Sequence, residues 1–222
     1  MNNRGCYRRE EKMKKLRSLF LVMLCVVLAV PCMNVSAATQ KQKALKAYKK
    51  FLSTSKVNVL RRGDTYYDSR NDSSVVYKGT KAGNVKFALA YINNDDIPDL
   101  VLTANMGGLQ YYGFFTYRSG KVRRITVQAC EYDKVIGYYK KTGVFVQRHY
   151  SDGVLGNWIY MSMGKTSAYI MGSKDGSYYV IRERMMTKKG FNNTIKKETR
   201  NRSLTKFKFY KNTKTNRNKK IK

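Results

Sequence analysis

The rhythm of apolar and polar positions changes near residue 85. Before it, residues 39–52 place Leu45, Tyr48 and Leu52 at i, i+3 and i+7, with Ala44, Ala47 and Phe51 beside them. That spacing predicts an amphipathic helix whose lysines (41, 43, 46, 49 and 50) lie mostly off the apolar stripe. Residues 61–83 are polar and glycine-punctuated, a loop with one short strand expected at 75–77. After residue 85, β-branched and aromatic runs alternate with turn signals, at 87–92, 99–103, 110–117, 122–127, 135–139, 144–150, 157–163, 167–171 and 177–184. Residues 185–197 read as loop. Phe207 and Phe209, set between Lys206, Lys208 and Tyr210, alternate with period two and predict a late strand. The expected fold class is α+β, mainly β: an antiparallel β-meander of about nine strands with one N-terminal helix packed on it.

The two ends of the chain differ from its middle. Residues 1–18 carry seven Lys/Arg, residues 19–30 are uninterruptedly apolar, and Asn34-Val35-Ser36-Ala37-Ala38 follows Pro31. A charged segment, a twelve-residue apolar run and small residues at a cleavage site make 1–38 a secretory signal peptide, cut after Ala37 or Ala38. Met13 is an alternative start. A twelve-residue helix rises only ~18 Å, too little to span a hydrocarbon core of ~30 Å. The mature chain is thus expected to have no transmembrane segment and to be secreted, with a β-rich domain at 39–210. Residues 211–222 hold one apolar side chain and read as a disordered basic tail.

Charge narrows the partners. The 222 residues carry 45 Lys/Arg against 14 Asp/Glu, and residues 39–222 keep 38 against 12, a balance of +26. Residues 41–62 hold eight basic side chains and no acid; residues 188–222 hold fourteen and Glu198 alone. Such a field attracts polyanions. For an exported chain the expected partners are anionic cell-wall or surface polymers, with no nucleic acid in vivo. The mature chain keeps one cysteine, Cys130, so it forms no internal disulfide. His149 is the single histidine, which excludes a multi-His metal centre.

One stretch carries candidate chemistry. In Tyr91-Ile92-Asn93-Asn94-Asp95-Asp96-Ile97-Pro98-Asp99, oxygen side chains alternate at Asn93, Asp95 and Asp99, with the backbone carbonyl of Ile97 between them. Alternating oxygens in a tight loop are how a chain wraps Ca2+. Tyr91 stands at the first ligand position, Asp96 where a turn glycine is usual, and Leu102 where a bidentate glutamate would close the set. The same residues also read as a hairpin turn without metal, because Asn and Asp hydrogen-bond their own backbone. The stretch resembles the Asp-x-Asn-x-Asp-Gly hairpin of FG-GAP-like and EF-hand-like loops. With Ala47-Tyr48-Lys49-Lys50-Phe51-Leu52 before it and Tyr138–Phe145 after it, the chain over about 40–185 resembles uncharacterised secreted proteins of Gram-positive gut bacteria. That resemblance implies a degenerate calcium loop and no particular activity.

No enzyme emerges from the pattern. Asp95, Asp96, Asp99, Glu131 and Asp133 are the carboxylate candidates, but neighbours in a turn do not make the separated pair that glycosidase chemistry needs. Gly164-Lys165-Thr166 lacks the earlier glycine of a phosphate loop, since Ile159 stands there. Trp158 and the pairs Tyr66-Tyr67, Tyr111-Tyr112, Tyr138-Tyr139 and Tyr178-Tyr179 offer rings for sugars, one ring of each pair expected to face out. The reading is a secreted, cationic, non-enzymatic β-rich module without an organic cofactor. The alternatives are a calcium-stabilised hydrolase and a cationic effector.

Overall fold

The structure, a computed structural model, describes residues 40–130, 134–148, 158–164, 168–175 and 178–222. The expected signal peptide, Glu131, Asp133 and His149 lie outside the described residues. Helix α1 spans residues 40–52 and buries Ala44, Leu45, Tyr48 and Leu52, the stripe its periodicity marks out. Two short strand pairs follow. β1 (Lys56–Val57) is joined later by β4 (Thr80–Lys81), and β2 (Thr65–Asp68) pairs with β3 (Ser73–Val76). The Tyr77 hydroxyl orders this glycine-rich region. It donates to the Val57 carbonyl at 2.9 Å and accepts from the N–H of Val59 at 2.9 Å and of Thr80 at 3.1 Å.

The remaining strands are β5 (Lys86–Ala90), β6 (Asp99–Met106), β7 (Leu109–Arg118), β8 (Lys121–Cys130), β9 (Lys134–Tyr139), β10 (Val144–Arg148), β11 (Trp158–Met163), β12 (Ala168–Asp175), β13 (Tyr178–Ile181), β14 (Arg184–Met185), β15 (Leu204–Lys206) and β16 (Tyr210–Lys211). They form two antiparallel sheets, one five-stranded in the order β16-β5-β6-β7-β8, the other seven-stranded in the order β14-β13-β12-β11-β10-β9-β15. The fold is mainly β and antiparallel, with the N-terminal helix packed on it. The meander splits into two stacked sheets, and the short pairings raise the strand number to sixteen among the described residues.

Three cores separate four layers. α1 covers the outer face of the five-stranded sheet through Phe87, Leu100, Leu102 and Phe115. The two sheets meet through Val101, Tyr112 and Phe114 on one side and Tyr138, Phe145 and Met161 on the other. There the rings of Phe114 and Phe145 stack with centroids 4.2 Å apart. A second helix, α2 (Lys188–Glu198), covers the outer face of the seven-stranded sheet. Its Phe191 lies between Tyr160, at 5.7 Å, and Tyr179, at 5.4 Å. A strand buried on both faces loses its polar positions. This is why β7 reads Leu-Gln-Tyr-Tyr-Gly-Phe-Phe-Thr-Tyr, and why Tyr111 and Tyr112 are both buried rather than one facing out.

Three sequence expectations are corrected. Residues 185–197 are not loop: Thr187 caps α2 by accepting from the Gly190 N–H at 3.1 Å, and Phe191 and Ile195 anchor the helix. The strand expected at 206–210 breaks in two. β15 joins β9 of one sheet, β16 joins β5 of the other, and Phe207 and Phe209 cross between them into the inter-sheet core. The basic tail at 211–222 is ordered. Helix α3 (Lys214–Lys220) follows β16, Ile221 is fully buried in the first core, and the Asn212 amide donates to the Leu52 carbonyl at 2.9 Å. One buried isoleucine and one capping amide hold a segment whose composition alone reads as disorder. The compact unit accordingly runs from Lys41 to Lys222.

Candidate functional site

The 91–99 stretch forms the tight connection between β5 and β6. Asp99, at the first position of β6, is fully buried. Its carboxylate accepts from the backbone N–H of Ile92 at 3.1 Å and of Asn93 at 3.2 Å, and from the Asn93 side-chain amide at 3.1 Å. Asn93 Oδ1 accepts from the Asp95 N–H at 3.1 Å, and Asp95 Oδ1 from the Ile97 N–H at 2.9 Å. Burial pushes the Asp99 carboxyl up to about 7, against the opposing pull of its N–H donors. Tyr48 of α1 lies behind it, fully buried, with no hydrogen-bond partner for its hydroxyl. Burial, then the nearby Asp99 and Asp95 carboxylates, raise that phenol's pKa.

The structure therefore brings Asn93 and Asp99 into direct contact but turns Asn93 Oδ1, Asp95 Oδ1 and both Asp99 oxygens of the expected calcium set toward N–H groups of the loop itself. Ile97 enters through its N–H. No group of three or more His, Cys, Asp or Glu among the described residues is placed to hold a metal. In this arrangement the donor set does not fit a calcium ion, which needs six to eight oxygens converging on one point. Protein cations sit on the loop instead. Asp96, at the place of the usual glycine, is ion-paired with Lys141, which holds its carboxyl below the usual range. Arg200 donates to the Asn94 side chain at 3.1 Å. Lys41 and Lys140 lie over the Tyr91 ring at 5.7 and 5.8 Å.

A second arrangement is built from lysine. Cross-strand neighbours in a sheet stand close enough to interact, and like charges directly opposite destabilise the pairing. Here Lys56 is opposite Lys81 in the β1–β4 pair, and Lys86 is opposite Lys211 in the β5–β16 pair, all four exposed. The 82–84 turn joins β4 of one pair directly to β5 of the other; Ala82 N–H extends the first pair to the Ser55 carbonyl at 3.0 Å, and Asn212 N–H the second to the Val85 carbonyl at 3.0 Å. The Asn212–Leu52 bond brings up the end of α1, and Lys220 of α3 lies over the Tyr210 ring at 4.5 Å. The contributing segments, residues 40–60, 78–90 and 210–222, contain no Asp or Glu. The ion pairs seen among the described residues all lie elsewhere, at Arg70–Asp68, Arg124–Asp64, Lys141–Asp96 and Arg182–Glu198. Sequence reading found the basic blocks but not their convergence, because Lys81 and Lys86 lie in neither block.

The aromatic candidates divide. Trp158 is half-buried between Arg148, at 5.7 Å, and Lys174, at 5.2 Å, so cations already lie over its ring. Of the tyrosine pairs, Tyr67 and Tyr178 are exposed. No described helix is long and apolar enough to cross a membrane. Comparison with known proteins finds no matching family model, no matching curated protein and no matching solved structure.

Proposed function

We propose that the chain is a secreted, non-enzymatic β-rich module that associates electrostatically with anionic cell-envelope or surface polymers. The observation that carries this reading is the acid-free ledge of Lys56, Lys81, Lys86 and Lys211, where like charges face each other across two strand pairs. Such pairing costs folding stability, and a polyanion laid across it reverses the sign of that cost. The buried carboxylate of Asp99 is spent on holding a turn, which supports a scaffold rather than an acid/base pair.

Retention of the protein on cell-wall fractions tests the reading. It should bind at low salt and elute near 0.5–1 M NaCl, roughly where the Debye length falls to ~3–4 Å. A variant with Lys56, Lys81, Lys86 and Lys211 all changed to Gln should be retained far less. No retention at low salt, or equal retention of the variant, overturns the proposal.

A further inference from the structure

The like-charge pairing of the ledge recurs at the other end of the five-stranded sheet. Arg118, the last residue of β7, stands directly across from Lys121, the first of β8, and Arg123 stands across from Thr116. Side chains alternate along a strand, so Arg118, Lys121 and Arg123 share one face of this hairpin. All three are exposed. The turn between the strands is tight: Ser119 and Gly120 both hold left-handed backbone, at φ 50° and 75°. A two-residue turn of this kind fixes the register and holds Arg118 and Lys121 opposite each other. Residues 100–130 contain no Asp or Glu. Arg124, on the other face, reaches Asp64 at 3.8 Å, whereas no ion pair among the described residues takes Arg118, Lys121 or Arg123.

The strand rows show what separates this cluster from the ledge. Lys86 lies opposite Lys211 on one side and Thr103 on the other, and Thr103 lies opposite Tyr112 of β7. Arg118 follows Tyr112 on the same face of β7, ~20 Å farther along at ~3.4 Å per residue. The two strand spacings from β5 to β7 add ~10 Å at right angles. Between the two cationic pairs runs the row Ala88–Val101–Phe114, and Phe114 is stacked on Phe145 of the seven-stranded sheet. A polymer lying straight across that face therefore meets the second sheet before it can join the two.

We infer that Arg118, Lys121 and Arg123 form a second site for the oxyanion groups of an anionic polymer, so that one molecule bridges two polymer strands. The inference rests on the ledge binding such polymers as proposed above. Two of the three cations here are guanidinium groups. Their planar forks take both oxygens of one carboxylate or phosphate, where the ledge offers only point charges. Bridging needs two sites that face separate strands, and the intervening sheet keeps them separate.

Cell-wall fragments mixed with the full chain test it, with retention and clumping (by turbidity) read in the same samples. The parent should clump the fragments at about 0.1 M NaCl and not at about 1 M, as the Debye length falls from ~10 to ~3 Å. A hairpin variant carrying Arg118→Gln, Lys121→Gln and Arg123→Gln should stay bound but lose clumping. Its melting temperature should not fall, because a like-charge pair is relieved. The ledge variant should lose clumping as well. Beads coated with polyglutamate or with inorganic polyphosphate, used in place of the fragments, tell carboxylate from phosphate as the bound group. Clumping of neither bead, clumping by the hairpin variant equal to the parent's, or retention of the parent without clumping each overturns the inference and leaves the ledge reading standing. Equal retention and clumping by the ledge variant overturns the ledge reading, and bridging with it.

Discussion

At the residue scale the chain carries two uncomfortable polar groups beneath one turn. The Tyr48 hydroxyl is buried without a partner. An unsatisfied buried hydroxyl costs about 1–3 kcal/mol, so Tyr48→Phe, which keeps the ring, should leave stability unchanged or raise it. Denaturant unfolding measures this, and a loss above ~1 kcal/mol would mean that the hydroxyl is bonded after all. Asp99 is the other. Its folded-state pKa of about 7 lies above the ~4 of an exposed carboxylate, so between those values the folded protein holds a proton that the unfolded chain has released. That contribution to stability is full below pH ~4 and is lost as pH rises through 7. The melting temperature in chelator-containing buffer should fall from pH 5 to 8, and Asp99→Asn should flatten the fall. A rise over that range in the parent protein would contradict the assignment. The oxygen pattern of this loop is legible in the sequence. What fills it is not, because a row of acceptors suits a cation and a row of N–H donors equally well.

Elements were legible in proportion to the apolar contacts they make. α1 shows its stripe because four buried side chains recur at helical spacing, and β5 to β13 show theirs through β-branched and aromatic runs. α2 offers only Phe191 and Ile195 amid lysines and asparagines, too little for periodicity to register, although Thr187 stands ready as its cap. The C-terminal segment offers still less, yet β15, the Phe207 and Phe209 crossing, β16 and Ile221 tie both sheets and α1 together. Gly137 shows how close the first of these contacts is, since a methyl there would run into the Thr205 carbonyl of β15. Removing residues 212–222 deletes the fully buried Ile221 and the Asn212 bond to α1. Emptying a buried isoleucine site costs about 2–5 kcal/mol, so the truncated chain should unfold at markedly lower denaturant. An unchanged midpoint would return those residues to the status of a loose tail.

For the whole molecule, the surplus of positive charge is distributed unevenly. Acids near the β2–β3 hairpin, the 93–96 loop and the end of α2 are matched to Arg70, Arg124, Lys141 and Arg182, while the ledge of Lys56, Lys81, Lys86 and Lys211 has none. Stability and adhesion should therefore pull in opposite directions there. Lys86→Glu, opposite Lys211, should raise stability by roughly 0.2–1 kcal/mol and lower cell-wall retention in the same protein. If both fall together, the ledge is a structural feature and not a binding surface.

The strap that begins at Leu204 closes the sandwich from both sides. It supplies an edge strand to each sheet and two phenylalanines to the space between them. Without it the stretch through Glu198 would leave β9 and β5 each with an unpaired edge and the interior short of two rings. A cut between Asn201 and Lys206 should therefore loosen both sheets together rather than one.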